Sequence, residues 1–347
     1  MIRLVRGDLL AAEVDALVNT VNTEGVMGKG IALQFKRAFP GNFKAYEQAC
    51  KRREVTLGEM FVFDAGGLTR PRYIINFPTK GHWRSKTSVE DLESGLIALV
   101  RVVRDKEIRS IAVPPLGCGN GGLLWRDVKP LIEDALSALE DVDVLLYEPA
   151  GAPLASEMRT ATRRPRMSPA RAAVVGLLAI YLEPGAGASR LEVQKLLYLL
   201  QVAGQPLKLN YSKEQYGPYA EQVNHVLEGI EGHFVSGYGD RSSPSPLSLL
   251  PGAEEEADAF MRDHPKMRES LDNVVKAIEG FETPYGLELL ATVHWVATTE
   301  PGARTDLAVT TKLVQAWSKR KARLFTERHI AVAWGRLTQI GWLPDGA

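Results

Sequence analysis

Two glycine-rich loops in the first half of this 347-residue chain have the composition of a phosphate-binding site. The second loop, Pro114–Trp125, follows the apolar run Ile111–Val113 and precedes a helical pattern that begins at Val128. A strand, a glycine-rich loop and then a helix allow backbone N–H groups to close around a phosphate. Glycine suits such a loop because it has no Cβ to keep a ligand from the backbone. We predict ligand contacts from Pro115, Leu116, Gly117, Cys118, Gly119, Asn120, Gly121 and Gly122.

The first loop, Val18–Ala32, offers groups for a sugar as well as for a phosphate. The amides of Asn19 and Asn22 can donate and accept hydrogen bonds without carrying charge, which suits ribose hydroxyls. The same loop leads into a predicted helix, whose N-terminus favours an anion. The backbone donors expected there are those of Gly28, Lys29, Gly30 and Ile31.

The residues after the first predicted strand suggest a base at one end of the ligand. Asp8 can accept a hydrogen bond from an exocyclic amine such as that of adenine, and Leu9 follows it. Two phosphate loops together with Asp8 predict a diphosphate that joins an adenosine to a second ribose. A dinucleotide oxidoreductase is disfavoured because neither loop gives a full G-x-G-x-x-G, and the P-loop pattern is absent.

Lys80 is the candidate catalytic group, in the sequence Asn76-Phe-Pro-Thr-Lys80. We predict that Thr79 and Lys80 lie on a short loop after the strand Tyr73–Phe77, where ligands of α/β sheets bind. Cleavage at the anomeric carbon of the distal ribose needs a nucleophile or an activated water there. Lys80 could attack as a neutral amine, or stay charged and stabilise the leaving group. His82 is the second ionisable candidate.

Alternating patterns in residues 1–152 predict a sheet covered by helices on both faces, which is an α/β class. The predicted strands are Ile2–Arg6, Ala16–Asn19, Met60–Asp64, Tyr73–Phe77, Ile111–Val113 and Val142–Tyr147. The predicted helices between them run over Ile31–Phe39, from Ser88 through Val103, and from Val128 through Leu139.

A linker is predicted over residues 153–167 and a mainly α-helical second domain over residues 168–347. The linker stretch holds proline, alanine, serine and several arginines with little apolar periodicity, so it suits a solvated tether or a basic patch. Beyond it, apolar residues recur every three or four positions. These helical patterns lie near 170–182, 190–203, 216–230, 266–280, 285–299, 306–320 and 326–340.

The composition excludes several classes of protein. Lysine plus arginine and aspartate plus glutamate both total 42, which disfavours tight, non-specific duplex binding. Two cysteines make a disulfide framework implausible, and no paired ligand spacing such as H-E-x-x-H predicts a metal. The N-terminus lacks the apolar core of a signal peptide, and no run is long enough to span a membrane. We therefore expect a soluble, cytoplasmic protein without a cofactor or metal.

The pieces Gly7-Asp8-Leu9, Asn19…Asn22…Gly28-Lys-Gly30 and Gly117–Gly122 resemble the ADP-ribose-binding macrodomain over roughly residues 1–150. This resemblance implies a three-layer α/β/α sandwich with a mixed sheet. It also implies that Asp8 takes the adenine while the glycine loops hold the diphosphate and the distal ribose. Tyr147, at the end of the last strand, either flanks the adenine or belongs to the core.

The Asn-Phe-Pro-Thr-Lys80 segment resembles the terminal ADP-ribose glycohydrolase branch of macrodomains, where this lysine is catalytic. Animal enzymes of the branch carry an assisting aspartate at the position of Gly121, which puts a protein-ester substrate in doubt. Asn-Gly-Gly after Gly-Cys-Gly instead resembles the DarG-type DNA ADP-ribosyl glycohydrolase antitoxins. That resemblance implies removal of ADP-ribose from thymine in single-stranded DNA. The alternatives are a non-catalytic ADP-ribose reader and a hydrolase of protein-linked ADP-ribose.

The second half loosely resembles the toxin-binding domain of these antitoxins through Lys195-Leu-Leu-Tyr198, Tyr216-Gly-Pro-Tyr219 and Trp317–Phe325. The resemblance implies a domain that binds and blocks a cognate DarT-like DNA ADP-ribosyltransferase toxin. Carboxylates could stand where the toxin expects DNA phosphates, and the candidates are Glu254, Glu255, Glu256 and Asp258. The opposite possibility is DNA contact by the basic residues Lys312, Lys319, Arg320, Lys321 and Arg323.

Overall fold

A computed structural model describes residues 1–66, 70–150, 153–182, 187–241 and 245–344. The chain forms two compact units, which we describe separately. The first comprises Met1–Arg163 together with Gly239–Ser243, and the second comprises Arg164–Tyr238 together with Pro244–Ala347.

The first unit is built on a six-stranded sheet with the order β1-β6-β5-β2-β4-β3. Neighbouring strands are parallel, except that β3 runs antiparallel to β4. The strands are β1 (Ile2–Val5), β2 (Ala16–Asn22), β3 (Phe61–Asp64), β4 (Tyr73–Lys80), β5 (Ser110–Val113) and β6 (Asp143–Tyr147).

Helices cover both faces of this sheet, which confirms the three-layer α/β/α sandwich with a mixed sheet. The helices are α1 (Gly30–Ala38), α2 (Pro40–Lys51), α3 (Val89–Asp105) and α4 (Trp125–Ser137). Helices α3 and α4 pack on one face, where Leu96 and Ile132 meet strand residues such as Ile75. Helix α1 packs on the other face through Phe35, which meets Leu17 of β2. Helix α2 was not predicted because its buried positions stand among polar residues.

The predicted helix start at Ser88 corresponds to a cap in the structure. The Ser88 hydroxyl accepts a hydrogen bond from the backbone N–H of Asp91 at 3.1 Å, as expected of an N-cap. The apolar spacing from Leu92 to Val103 then buries one stripe of α3. The local sequence was therefore sufficient to place this helix.

Strand β4 continues to Lys80, whereas the sequence pattern predicted that it ends at Phe77. Its pairing with β2 skips one residue, since Val21 faces Pro78 and Asn22 faces Lys80. Proline has no N–H to donate, so an irregular ladder at this point is expected. Thr79 and Lys80 thus lie on a paired strand and not on a loop.

The second unit is mainly helical, as predicted. Its helices are α5 (Pro169–Tyr181), α6 (Arg190–Val202), α7 (Gln222–Ile230), α8 (Ala253–Arg262), α9 (Pro265–Ile278), α10 (Pro284–Thr299), α11 (Leu307–Ala316), α12 (Lys319–Leu324) and α13 (Glu327–Gln339). Two short strand pairs join them, β7 (Ser212–Glu214) with β8 (Gly217–Tyr219) and β9 (Val235–Ser236) with β10 (Ser248–Leu249). Within the described ranges, no helix is both long and apolar enough to cross a membrane.

Two of the predicted helical segments are interrupted in the structure. The segment 216–230 begins with strand β8, because Pro218 suits an extended conformation and helix α7 starts only at Gln222. The segment 306–320 is divided at Ser318, whose hydroxyl caps α12 by accepting from the N–H of Lys321. Turn and cap residues thus override a continuous apolar period.

The predicted linker is packed against folded residues and is not a free tether. Ala161 donates its backbone N–H to the carbonyl of Arg37 at 3.0 Å, and the Arg159 guanidinium lies 5.5 Å from the centre of the Phe39 ring. Both contacts belong to the first unit, which extends through Arg163 and so beyond the predicted boundary at residue 152. Arg159, one of the arginines that suggested a basic patch, is therefore used in packing.

Candidate functional site

The predicted site residues collect at one edge of the sheet in the first unit. Strands β1, β2, β4, β5 and β6 are parallel, so their carboxyl ends meet at the same edge. Asp8 follows β1, both glycine loops follow strands β2 and β5, and Lys80 and Tyr147 end β4 and β6. Ligands of open α/β sheets bind at this edge.

The two glycine loops approach each other at Gly30 and Asn120. A Cβ placed on Gly30 would lie only 3.4 Å from Nδ2 of Asn120. The Lys80 ammonium donates to the carbonyl oxygen of Asn120 at 3.1 Å. Lys80 therefore reaches the point at which the loops from β2 and β5 meet.

The second loop holds its shape with internal hydrogen bonds and presents further backbone donors. The N–H of Cys118 bonds to the carbonyl of Pro115 at 3.1 Å, and that of Leu123 bonds to the carbonyl of Gly117 at 3.0 Å. Between these bonds, the N–H groups of Gly119, Asn120 and Gly121 have no acceptor among the described residues. Successive backbone donors in a pre-formed loop make an anion-binding concavity.

Gly121 is packed too tightly to carry a side chain. A Cβ there would stand 2.4 Å from the Gly117 carbonyl oxygen and 2.4 Å from the Thr87 hydroxyl. The N–H of Thr87 also bonds to the Gly121 carbonyl at 3.0 Å, which holds the loop in place. An aspartate at this position would require a different loop conformation. Sequence reasoning missed Thr87.

The environment of Lys80 favours its neutral form more than water does. The side chain is partly buried, and desolvation lowers the pKa of its ammonium below the usual range. Cys118 differs, since burial raises the pKa of its thiol to about 11. A thiol of that pKa is protonated at neutral pH and therefore a poor nucleophile. Burial thus shifts Lys80 toward its nucleophilic neutral form and Cys118 away from its nucleophilic thiolate.

The side chain of Asn22 organises the first loop internally. Its Nδ2 donates to the Val26 carbonyl at 2.6 Å, and its Oδ1 accepts from the N–H of Glu24 at 2.9 Å. These bonds restrict the free hydrogen-bonding capacity that was predicted to serve a ribose. Asn22 therefore holds the shape of the first loop.

Asn19 lies in the interior of the sheet. Its Nδ2 donates to Oδ1 of Asn76 at 3.0 Å, and Asn76 in turn donates to Oδ1 of Asn42 at 2.7 Å. The Asn19 Oδ1 is buried without a donor among the described residues. An orphaned buried acceptor is costly unless another donor reaches it. Thr79 is likewise buried, and its hydroxyl donates to the Val21 carbonyl at 3.3 Å.

The residues predicted at the adenine end lie close together. One carboxylate oxygen of Asp8 accepts from the N–H of Leu10 at 2.9 Å and so caps a short 3-10 turn. Tyr147 is half-buried, and burial together with the Asp8 charge raises the pKa of its phenol. Both Tyr147 and Ile31 pack against an apolar cluster that includes the buried Leu9. Tyr147 thus contributes to the core while remaining beside Asp8.

The start of helix α1 has an acceptor that sequence reasoning missed. The N–H of Gly30 donates to the Asp240 carbonyl at 2.7 Å, and Nε2 of Gln34 donates to the Asp240 carboxylate at 2.7 Å. Asp240 belongs to the first unit although it is distant in sequence, and no local pattern indicates it. Gly28 and Lys29 precede the helix, and Lys29 is its N-cap residue.

The acidic candidates in the second unit divide into two groups. Glu256 pairs with Arg164 at 2.6 Å, and Asp258 pairs with Arg268 at 2.8 Å. Glu254 and Glu255 are exposed in the first turn of α8 and have no ion-pair partner in the described part of the chain. Only these two carboxylates are therefore available without breaking an internal pair.

The basic run does not form a continuous exposed face. Lys321 is fully buried and donates to Oε1 of Glu288 at 2.6 Å, while Arg320 bonds both carboxylate oxygens of Glu288. A buried charge needs such a partner. Two of the five residues suggested for DNA contact are thus part of the internal structure.

Comparison with known proteins shows the family to which the chain belongs. The Macro domain family model matches residues 18–132. A DNA ADP-ribosyl glycohydrolase from Thermus aquaticus is 52% identical over 99% of this chain and 94% of its own length. A DNA ADP-ribosyl glycohydrolase from Mycobacterium tuberculosis is 47% identical over 97% of this chain and 99% of its own length. The solved macrodomain of Thermus aquaticus DarG is 60% identical over 43% of this chain and 99% of its own, with a TM-score of 0.42.

The fold and the site define a macrodomain that is followed by a helical domain. The chain belongs to the family of DNA ADP-ribosyl glycohydrolases, which are hydrolases.

Proposed function

We propose that this protein hydrolyses the N-glycosidic bond between ADP-ribose and thymine in single-stranded DNA and releases ADP-ribose. The observation that carries the proposal is the contact of Lys80 with the carbonyl of Asn120, where the two glycine loops meet. Membership of the DNA ADP-ribosyl glycohydrolase family supports DNA as the substrate. Because chromosomal DNA would be the target, we propose that the protein acts in the cytoplasm.

Each part of ADP-ribose has a suitable partner at the sheet edge. The free carboxylate oxygen of Asp8 would accept from the adenine amine, beside Tyr147. The diphosphate would take the backbone donors of residues 119–121 and those of Ile31 and Ala32 in the first turn of α1, which lack intrahelical acceptors, whereas the Gly30 N–H already donates to the Asp240 carbonyl. The anomeric carbon would then lie near Lys80.

We propose that neutral Lys80 attacks this anomeric carbon. The amine lone pair forms the new C–N bond while the bond from carbon to the thymine ring nitrogen breaks, and thymine leaves with the electron pair as a delocalised anion. A proton from the alkylated ammonium of Lys80 neutralises that anion. Water then hydrolyses the glycosylamine, directly or through its open-chain imine, which returns the amine and releases ADP-ribose. The lowered pKa of Lys80 supports this route.

The reaction is tested with a single-stranded oligonucleotide that carries one ADP-ribosylated thymidine. Wild-type protein should release ADP-ribose and unmodified oligonucleotide, and Lys80→Ala should release neither while still binding ADP-ribose. Lys106→Ala is the matched control, because Lys106 is an exposed lysine at the far end of α3. Equal release by wild type and Lys80→Ala would exclude Lys80, whereas release by neither would exclude this substrate.

The covalent step is tested by reduction with cyanoborohydride during turnover. An imine between Lys80 and ADP-ribose should be trapped as a stable adduct that mass spectrometry assigns to the peptide containing Lys80. Lys106→Ala should be trapped as efficiently as wild type. Full turnover without any adduct would instead support attack by water, with Lys80 as a cation that stabilises the leaving base.

We further propose that the second unit binds and blocks a DarT-like DNA ADP-ribosyltransferase toxin. A relative in Thermosipho africanus is named as a fusion of a DNA ADP-ribosyl transferase and a DNA ADP-ribosyl glycohydrolase, which supports pairing of the two activities. Glu254 and Glu255 could occupy positions of DNA phosphates on the toxin. Charge reversal of both should weaken toxin binding, whereas reversal of the exposed Glu269 and Asp272 on α9 should not. Equal affinities would exclude the Glu254–Glu255 surface.

A further inference from the structure

The rim segment, Gly81–Thr87, joins the catalytic lysine to both glycine loops. The Gly81 carbonyl accepts from the N–H of Thr23 at 3.1 Å and from its hydroxyl at 2.9 Å. At the other end, the N–H of Thr87 bonds to the carbonyl of Gly121 at 3.0 Å. The rim segment therefore crosses from the first loop to the second directly beyond Lys80.

Trp83 presents an aromatic surface on this rim segment. Its side chain is 43% exposed, although burial of an indole is normally favourable. The Arg84 guanidinium lies 4.4 Å from the Trp83 ring centre, and the His82 ring stacks on Trp83 with a centre distance of 5.5 Å. Exposed aromatic rings and arginine planes are the surfaces on which single-stranded bases stack.

The charges on the rim segment match a nucleic-acid backbone. Arg84 and Lys86 are exposed, and neither pairs with a carboxylate within the described ranges. The nearby carboxylate of Glu24 lies 3.5 Å from Nε2 of His82 and so faces the imidazole. The exposed cations thus remain available for phosphates.

We infer that Trp83 and Arg84 form a stacking platform for a base of the DNA strand next to the modified thymidine. The inference rests on the proposed function, because a thymidine at Lys80 stays linked to the strand on both sides. Trp83 lies three positions after Lys80, which limits the distance between their Cα atoms to about 10 Å. A neighbouring nucleotide can therefore reach Trp83 while the anomeric carbon remains at Lys80.

The test compares two substrates of the full-length protein, the ADP-ribosylated oligonucleotide and the ADP-ribosylated thymidine nucleoside. Trp83→Ala should reduce the preference for the oligonucleotide, measured as the ratio of the two kcat/KM values, by about 5- to 150-fold, which corresponds to one stacked base. Trp83→Phe should retain most of this preference because it keeps an aromatic face. Ile97→Ala, which shortens an exposed apolar side chain on α3, is the control and should retain all of it.

Several outcomes would overturn the platform. An unchanged ratio in Trp83→Ala would do so. If both kcat/KM values fall by the same factor, Trp83 only positions the Lys80 segment. If the wild type releases ADP-ribose from neither substrate, the proposed reaction fails. Binding then decides the platform separately, by fluorescence anisotropy of the labelled oligonucleotide with Lys80→Ala and with Lys80→Ala/Trp83→Ala. Equal affinities in that pair would exclude stacking on Trp83.

Discussion

Replacing Gly121 with alanine should damage the diphosphate loop, although the change adds a single methyl group. The new Cβ would stand 2.4 Å from two oxygens, the Thr87 hydroxyl and the Gly117 carbonyl. The hydroxyl oxygen belongs to a buried, β-branched side chain, which has little room to move. The carbonyl cannot move freely, because it accepts a hydrogen bond from the N–H of Leu123 at 3.0 Å.

The cost of this substitution can be worked out from the two contacts. Overpacking of a tight site costs about 1–3 kcal/mol, and loss of the Leu123 N–H bond adds about 1 kcal/mol. We therefore expect Gly121→Ala to lower the free energy of unfolding by about 2–4 kcal/mol. Displacement of the nearby N–H donors should cost one bond to the charged diphosphate, about 1.5–3 kcal/mol, which weakens ADP-ribose binding by about 10- to 150-fold.

The assays are urea unfolding and isothermal titration calorimetry with ADP-ribose. Gly119→Ala is the matched control, because a Cβ at Gly119 meets no atom within 4 Å and its φ is negative or extended. The free energy of unfolding of Gly119→Ala should change by less than about 0.5 kcal/mol. A loss of ADP-ribose affinity in this variant would therefore report a ligand contact at Gly119 and not a change in loop stability. Gly121→Ala with wild-type stability and affinity would refute the reasoning.

Three further predictions concern titratable groups. Because the pKa of Lys80 is lowered, kcat/KM should rise with pH and reach its plateau below the pH range in which an ordinary lysine titrates. A flat pH profile would instead favour a charged Lys80 that stabilises the leaving base. Burial lowers the pKa of His294 to about 4, so the free energy of unfolding should fall by about 3 kcal/mol as pH falls from 6.5 to 4. Urea unfolding of His294→Gln should not show this pH-dependent loss. Glu288→Gln should cost about 3–5 kcal/mol in the same assay, because it leaves Lys321 buried without its carboxylate.

Much of the first unit could be predicted from local patterns. The helix at Ser88 follows from a cap residue and an apolar stripe, both of which are written in consecutive residues. The carboxyl ends of the strands place Asp8, Lys80 and the glycine loops at one edge, since a parallel sheet leaves them no other arrangement. The sandwich and the neighbourhood of the site are therefore consequences of periodicity.

Partners that are distant in the chain were decided by the tertiary structure. Strand β4 reaches Lys80 because it pairs with β2, and Gln34 meets Asp240 across 206 positions. The same applies to Lys321, whose burial depends on Glu288 in another helix. Periodicity tells which face of an element avoids water, because that depends on neighbours three or four residues away. Which polar group meets which, and how far a lysine is desolvated, depends on the packing of whole elements, and only the folded chain brings those groups together.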